Sequence, residues 1–269
     1  MTAPADLAAT PATADPLGGA RTEVVPPTGR SAVRRFLAMP AFLLLACVLL
    51  YVWVRSHSLD SIEQRVLNAG VIRDSVIRHL ELVALSTVIV ILLAVPLGVL
   101  LTRPAARPLV PLVVGLANIG QTVPSLGVIV LLALLFDIGF RYAVIALAIY
   151  AFLPVLRNTM VGLRQVDPAV IEAGRGMGMT KGAVLRKIEL PLAVPVVLAG
   201  VRTALVINVG TAAIAVLTNA GGLGFIIYQG IVQGRNTILI AGSVMTAVLA
   251  LFVDYVAGVA EEYLSPRGL

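Results

Sequence analysis

Apolar residues run along most of this chain in long blocks, and the polar residues gather between them. The first block, FLAMPAFLLLACVLLYVWV at residues 36–54, follows Arg34 and Arg35. Others occupy 77–101, 109–136, 142–156, 192–217 and 237–256. Most reach the roughly 20 residues that an α-helix needs to cross hydrocarbon. None shows the short alternating segments of a spanning barrel. The pattern predicts an all-α, polytopic helical bundle of about six transmembrane helices. The third block is interrupted by NIGQTVPS. Between the last two lies NAGGLGFIIYQGIVQGRN, apolar but broken by glycines, which reads as a re-entrant or interfacial segment. Residues 1–30, rich in Ala, Pro, Thr and Gly, read as a disordered tail. Residues 31–76 group the first span with a mixed-charge, partly helical connector, residues 77–260 hold the remaining spans, and 261–269 form a second tail.

Composition supports this class. At 59% hydrophobic and 13% charged, the chain departs from soluble domains, which run about 45–50% apolar and about 25% charged. The net charge of +6 fits the Lys and Arg excess of cytoplasmic loops better than nucleic-acid binding. An even number of spans puts both ends on one side, with Arg30, Arg34, Arg35, Arg103, Arg107 and the cations from Arg157 to Lys187. That side is expected to be the cytoplasm. The connector opposes this with four arginines, but the cytoplasmic majority outweighs it. A cleaved signal peptide is the rival for the first block, because LLAC at 44–47 resembles a lipoprotein cleavage site. Against it, the apolar run continues past Cys47 and a long tail precedes the charges, so an uncleaved anchor is expected. The single cysteine permits neither a disulfide framework nor a metal set.

One polar segment interrupts this pattern. Residues 167–191 read DPAVIEAGRGMGMTKGAVLRKIELP. Asp167 and Pro168 are a helix start: the carboxylate accepts from free N–H groups, and Pro at the first position loses no bond. The helix closes at Gly176-Met177-Gly178, where glycine takes the left-handed conformation. Thr180 then caps a second helix, KGAVLRKIEL, expected to stop before Pro191. The glycines do not make a phosphate loop, because neither Lys181 nor Lys187 stands in a Gly-Lys-Ser/Thr context. A dinucleotide fingerprint would need a preceding strand. Local physics leaves two readings open, a docking element for a soluble partner or a solvated loop.

The spacing Glu172-Ala173-Gly174, three residues, Gly178, nine residues, Ile188-x-Leu190-Pro191 resembles the EAA loop of ABC importer permeases. Only Gly174 departs from it, standing where the family has Ala. The resemblance extends over residues 79–228. HLELVALSTVIVILLAVPLGVLLTRP, NIGQTVPSLGVIVLL, YAFLPVLRNTMVGLRQ and NVGTAAIAVLTNAGGLG are similar to the osmoprotectant branch, which imports glycine betaine, carnitine or choline. The resemblance implies a type I, methionine-importer-like transmembrane domain in the bacterial inner membrane. It implies a second permease copy, two ATPase subunits on the cytoplasmic side and an extracytoplasmic substrate-binding protein. The loop would then be the coupling helix in a cleft of the ATPase, with Glu172, Ala173, Gly174 and Gly178 in contact and Pro191 opening the fifth span. No nucleotide motif is present, and no binding domain is expected after Leu269. ATP chemistry and substrate capture are therefore expected from other chains, with no cofactor in this one and no nucleic-acid partner.

Polar residues inside the spans are the remaining candidates. Asn118, Gln121, Thr122 and Ser125, broken by Pro124, fit either a pathway lining or interhelical hydrogen bonding. Asn208 and Thr211 in the fifth span join them as pathway or gating candidates. Arg202 lies well inside that span, where a charge costs about 2.5–3.5 kcal/mol on insertion scales. It is expected to face the bundle interior with Asp254 as partner. His79 and Glu81 fit snorkelling or a substrate or gating contact. An aromatic content of 5% is low for a quaternary-ammonium cage, so the chain is expected to be a conduit rather than the selectivity filter. An ATP-independent carrier or channel is the alternative class. A membrane enzyme lacks a convergent His, Cys or carboxylate cluster. Within the importer class, methionine, phosphonate and ergothioneine remain open as cargo.

Overall fold

The computed structural model describes residues 29–264. The expected tails at 1–30 and 261–269 lie outside the described residues, apart from 29–30 and 261–264, which are helical. The chain divides into two units, Met1–Ala38 and Met39–Leu269. Of the first, the described residues are helical and belong to α1 (Gly29–Ser56).

Within the second unit, the connector after α1 is itself largely helical. Asp60 caps α2 (Ser61–Val66) by accepting from the Ile62 and Glu63 amides, while Glu63 reaches back to the Asp60 amide. Asp60 also pairs with Arg235 at 2.8 Å. The 33-residue α3 (Ala69–Leu101) follows, then a 3₁₀ segment at Pro104–Leu109. Two shorter helices, α4 (Val110–Thr122) and α5 (Ser125–Leu135), meet at a bend of 96°. The NIGQTVPS interruption is this bend: Pro124 has no N–H to continue α4. Next come α6 (Phe140–Arg164), α7 (Pro168–Gly176), α8 (Lys181–Val184) and α9 (Leu190–Ala212). A 3₁₀ turn at Ile214–Thr218 leads to left-handed Asn219, and the chain closes with α10 (Gly224–Val232) and α11 (Asn236–Leu264).

Five helices are long and apolar enough to cross a membrane, or six when the bent pair counts as one span. The nine residues of α10 are too few to span, in keeping with the re-entrant or interfacial reading. Pro191 was expected to stop the second helix of the polar segment. Instead the helix continues from Lys181 to Ala212. A π turn at Leu185–Glu189 explains this. The Leu190 amide bonds to the Leu185 carbonyl, and this widened register gives room where the Pro191 ring would otherwise meet the carbonyl one turn back.

The core centres on α6, which packs between α3 and α9, while α11 packs on α9 and α10. Ala143, Ala146, Ala151 and Leu147 on α6 are buried, as are Val90 and Ala94 on α3 and Ala193 and Ala204 on α9. Small residues set these contacts because, in lipid, helices associate through close packing rather than hydrophobic exclusion. A Cβ at Gly200 would stand 2.6 Å from Asn158 Cβ, and one at Gly98 would stand 2.8 Å from Thr159. The tightest approach is at Gly224, where a Cβ would lie 1.8 Å from the Ala213 carbonyl oxygen.

Gly224→Ala is therefore expected to cost about 3 kcal/mol, the upper end of ordinary substitutions, read as a lower melting temperature of the detergent-solubilised protein. Gly210→Ala, where a Cβ meets nothing within 4 Å, should match or exceed the parent by up to about 1 kcal/mol. Equal melting of the two variants would contradict the packing described.

Candidate functional site

The polar segment folds as a short helix held against the start of a long one. The Asp167 carboxylate accepts from the Ala169 amide at 2.8 Å and opens α7. Gly178, at φ +82°, turns the chain, and Thr180 Oγ1 accepts from the Ala183 amide at 3.3 Å to start α8. Gly174 is the buried residue of α7. It rests on the Ile188 side chain, and a Cβ there would stand 2.5 Å from Ile188 Cδ1. This contact explains glycine in place of the alanine of the resembled motif: the tip of Ile188 occupies the methyl's space. Leu190 and Pro191 begin α9.

A second brace joins this segment to the spans. Glu189 is buried, and Arg103 at the end of α3 forks onto it, with Nη1 donating to Oε1 at 3.3 Å and Nη2 to Oε2. The outward side of α7 is free. Val170, Glu172, Ala173, Arg175 and Met177 are exposed, Met177 at 76%. Glu172 has neither ion pair nor hydrogen bond among the described residues. An exposed apolar strip beside a carboxylate that is unpaired among the described residues, on a helix held through Gly174 against Ile188, has the chemistry of a docking helix.

Of the span candidates, the bent pair carries most. Gln121 Nε2 donates to the Tyr150 carbonyl at 2.9 Å, and Arg157 Nη2 donates to Asn118 Oδ1 at 2.7 Å, so both side chains tie α4 to α6. Thr122 Oγ1 donates back to the Ile119 carbonyl of its own helix. Thr122 and Pro124 are exposed at the bend, and Ser125 is half-buried in the first turn of α5. Asn208 is different: it is fully buried, and Nδ2 donates to Ser86 Oγ at 2.9 Å and Thr87 Oγ1 at 3.0 Å on α3. Thr211 donates to the Ile207 carbonyl. Within this chain, Asn208 makes interhelical bonds through Nδ2, and its Oδ1 is buried without a hydrogen-bond partner.

His79 does not snorkel. It is completely buried, because its ring joins three elements: the Leu223 amide donates to Nδ1 at 3.2 Å, and Nε2 donates to the Val209 carbonyl at 3.0 Å. Glu81 pairs with Arg78 at 3.0 Å on the surface. Arg78 also donates to the Ala220 carbonyl and lies over the Phe140 ring at 3.8 Å.

Arg202 meets Asp254 in a two-pronged contact, Nε to Oδ1 at 2.5 Å and Nη2 to Oδ2 at 2.7 Å. Glu261 adds a second carboxylate at 3.5 Å. The guanidinium lies in a half-exposed groove between α9 and α11 rather than in the interior, since Gly258 leaves room for it, with a Cβ there only 3.0 Å from Nη1. Glu261 was not foreseen, although it stands about two turns after Asp254 on the same face. The Arg103–Glu189 fork had no sequence signal, its partners lying on separate helices.

The family model for the "binding-protein-dependent transport system inner membrane component" matches residues 94–267. A carnitine transport permease protein of Listeria monocytogenes is 42% identical over 200 residues, which cover 74% of this chain and 89% of the relative. A choline transport system permease protein of Bacillus subtilis is 38% identical over 75% of this chain and 92% of its own. Among solved structures, the MetNI methionine ABC transporter in an inward-facing conformation aligns with a TM-score of 0.65 at 26% identity, over 72% of this chain and 96% of that one.

The Arg202 groove generates an asymmetric prediction. Arg202→Met removes the cation that Asp254 and Glu261 share and should lower thermal stability more than Asp254→Asn, which leaves the Arg202–Glu261 contact in place. The double substitution should recover part of the loss, with a coupling of about 0.5–3 kcal/mol. Strict additivity in a double-mutant thermal-melt cycle would show that the pair carries no coupling.

Proposed function

We propose that this chain, which belongs to the family of binding-protein-dependent transport system inner membrane components, imports quaternary ammonium compatible solutes of the glycine betaine, carnitine and choline class. It is a multi-pass inner-membrane permease subunit of an ABC importer. It is not an enzyme: ATP is hydrolysed by a separate ATPase, and a separate binding protein delivers the solute. The solute class is supported by the relatives named for carnitine and choline transport, at higher identity than the methionine transporter. Methionine, ergothioneine or another small solute is the alternative cargo.

In this reading two permease copies, identical or a related pair, enclose the pathway in the lipid bilayer, and two ATPase subunits bind on the cytoplasmic side. That side carries α7 and both chain ends. The observation that carries the coupling role is the exposed face of α7 with its unpaired Glu172. Closure of the ATPases on ATP moves α7. The Gly174–Ile188 contact and the Arg103–Glu189 fork then pass the motion to α9 and α3 as rigid bodies, so the spans switch between two arrangements. Asn118, Gln121, Thr122, Pro124 and Ser125 stand at the bend, where a broken helix suits a pathway lined by water.

Glu172→Lys reverses the charge presented to the ATPase, and Gly178→Trp puts a side chain at φ +82°. Each is expected to lower ATP-driven solute uptake by at least about tenfold, the effect of roughly 1.4 kcal/mol of lost coupling, while the spans still insert. Uptake that survives both changes, or survives loss of the ATPase, would overturn the importer reading.

A further inference from the structure

Three arginines, Arg78, Arg157 and Arg202, lie within spanning helices against other elements, and they are treated differently. Arg202 has two carboxylates. Arg157 has none: among the described residues its partner is the neutral Asn118, at 2.7 Å. The other ion-paired arginines, Arg73, Arg78, Arg103 and Arg235, each hold an acid as well.

Arg157 is not at a loop. It stands roughly two turns before the end of α6, and its neighbours are locked in the helix packing. Asn158 lies under Gly200 of α9, and Thr159 lies against Gly98 of α3. Arg157 itself is exposed and turns to α4. There Asn118 and Gln121 hold α4 against α6 by the two bonds to Arg157 and Tyr150. Thr122 and Pro124, at the 96° bend, are exposed on the same segment. Asn118 draws the guanidinium along α4, away from the α6 terminus towards which a snorkelling side chain would extend.

A charge at a helix centre costs about 2.5–3.5 kcal/mol against lipid; about two turns in from the α6 terminus an exposed guanidinium still favours a wetted surface over lipid. Guanidinium carries five N–H donors in a planar fork that matches a carboxylate, and Asn118 takes one. We propose that Arg157 is a specificity-determining residue of the pathway, which receives the carboxylate of a zwitterionic solute and disfavours a bare cation. The chain would then favour carnitine- and betaine-like solutes over choline-like ones during translocation, in addition to the choice made by the binding protein. This rests on the importer reading given above. Asn118 acts as a positioning residue, since it holds the fork towards the bend.

The test is ATP-driven uptake of labelled carnitine, glycine betaine and choline by the complete importer in proteoliposomes. The same ATPase and binding protein are used throughout, so that their preferences cancel between variants. Arg157→Gln is expected to lower uptake of the two zwitterions relative to choline by about tenfold or more, the scale of one charged hydrogen bond. Arg157→Lys keeps the charge and should restore most of the ratio. An equal fall for all three solutes, with no rescue by lysine, would make Arg157 purely structural and overturn the proposal. An unchanged ratio in the glutamine variant would overturn it too. A parent complex that takes up none of the three would defeat the importer reading and the proposal together, an outcome separate from a parent that transports and a variant that does not discriminate.

Discussion

In hydrocarbon, a polar group finds its partner inside the protein or finds none. The backbone obeys by folding as helix through the spans, apart from the bend at Pro124, and most enclosed side chains obey by pairing. The loop of Asn219, Gly221 and Gly222 is where the backbone leaves regular structure beside the spans. Side chains from α3 satisfy it: His79 takes the Leu223 amide, and Arg78 donates to the Ala220 carbonyl. Losing the imidazole would leave the Leu223 amide and the Val209 carbonyl enclosed and unpaired, at about 1–3 kcal/mol for each group. The same rule draws Asn208 onto Ser86 and Thr87.

Close packing is the second consequence. Without a hydrophobic force between helices in lipid, contact area must come from shape. Glycines and alanines on α3, α6 and α9 let their backbones approach, and Leu44, Leu92 and Leu134 are left on the outside. The proposed coupling role needs that rigidity. A helix docked on a motor transmits force only if its base is stiff. The continuous helix from Lys181 to Ala212, the Ile188 contact and the buried Glu189 under Arg103 supply that base. The π turn reconciles Pro191 with continuity, so the second helix of the polar segment and the fifth span are one piece rather than two hinged ones.

The chain thus has two kinds of polar feature. Those paired within it, His79, the Asn208 amide nitrogen and the Arg202 groove, hold the fold. Glu172 on α7 is exposed without a partner among the described residues, and Arg157 beside the bend is exposed with the neutral Asn118 as partner; the proposed outward-facing roles fall to these two groups.

Much of this was legible from residue order. The apolar blocks located the spans, Asp167 and Thr180 marked helix starts, Gly178 marked the turn, Pro124 marked the bend, and the pairing of Arg202 with Asp254 followed from the cost of an unmatched charge. These features depend on neighbours within a turn or two, or on a charge too costly to leave alone. Tertiary structure alone decided that the helix runs through Pro191, that His79 is enclosed rather than snorkelling, that Glu189 meets Arg103, and that Arg157 turns to Asn118. Each depends on how far one helix is rotated about its axis against another. That rotation is set by the summed packing of many small side chains, and no single stretch of residues encodes it.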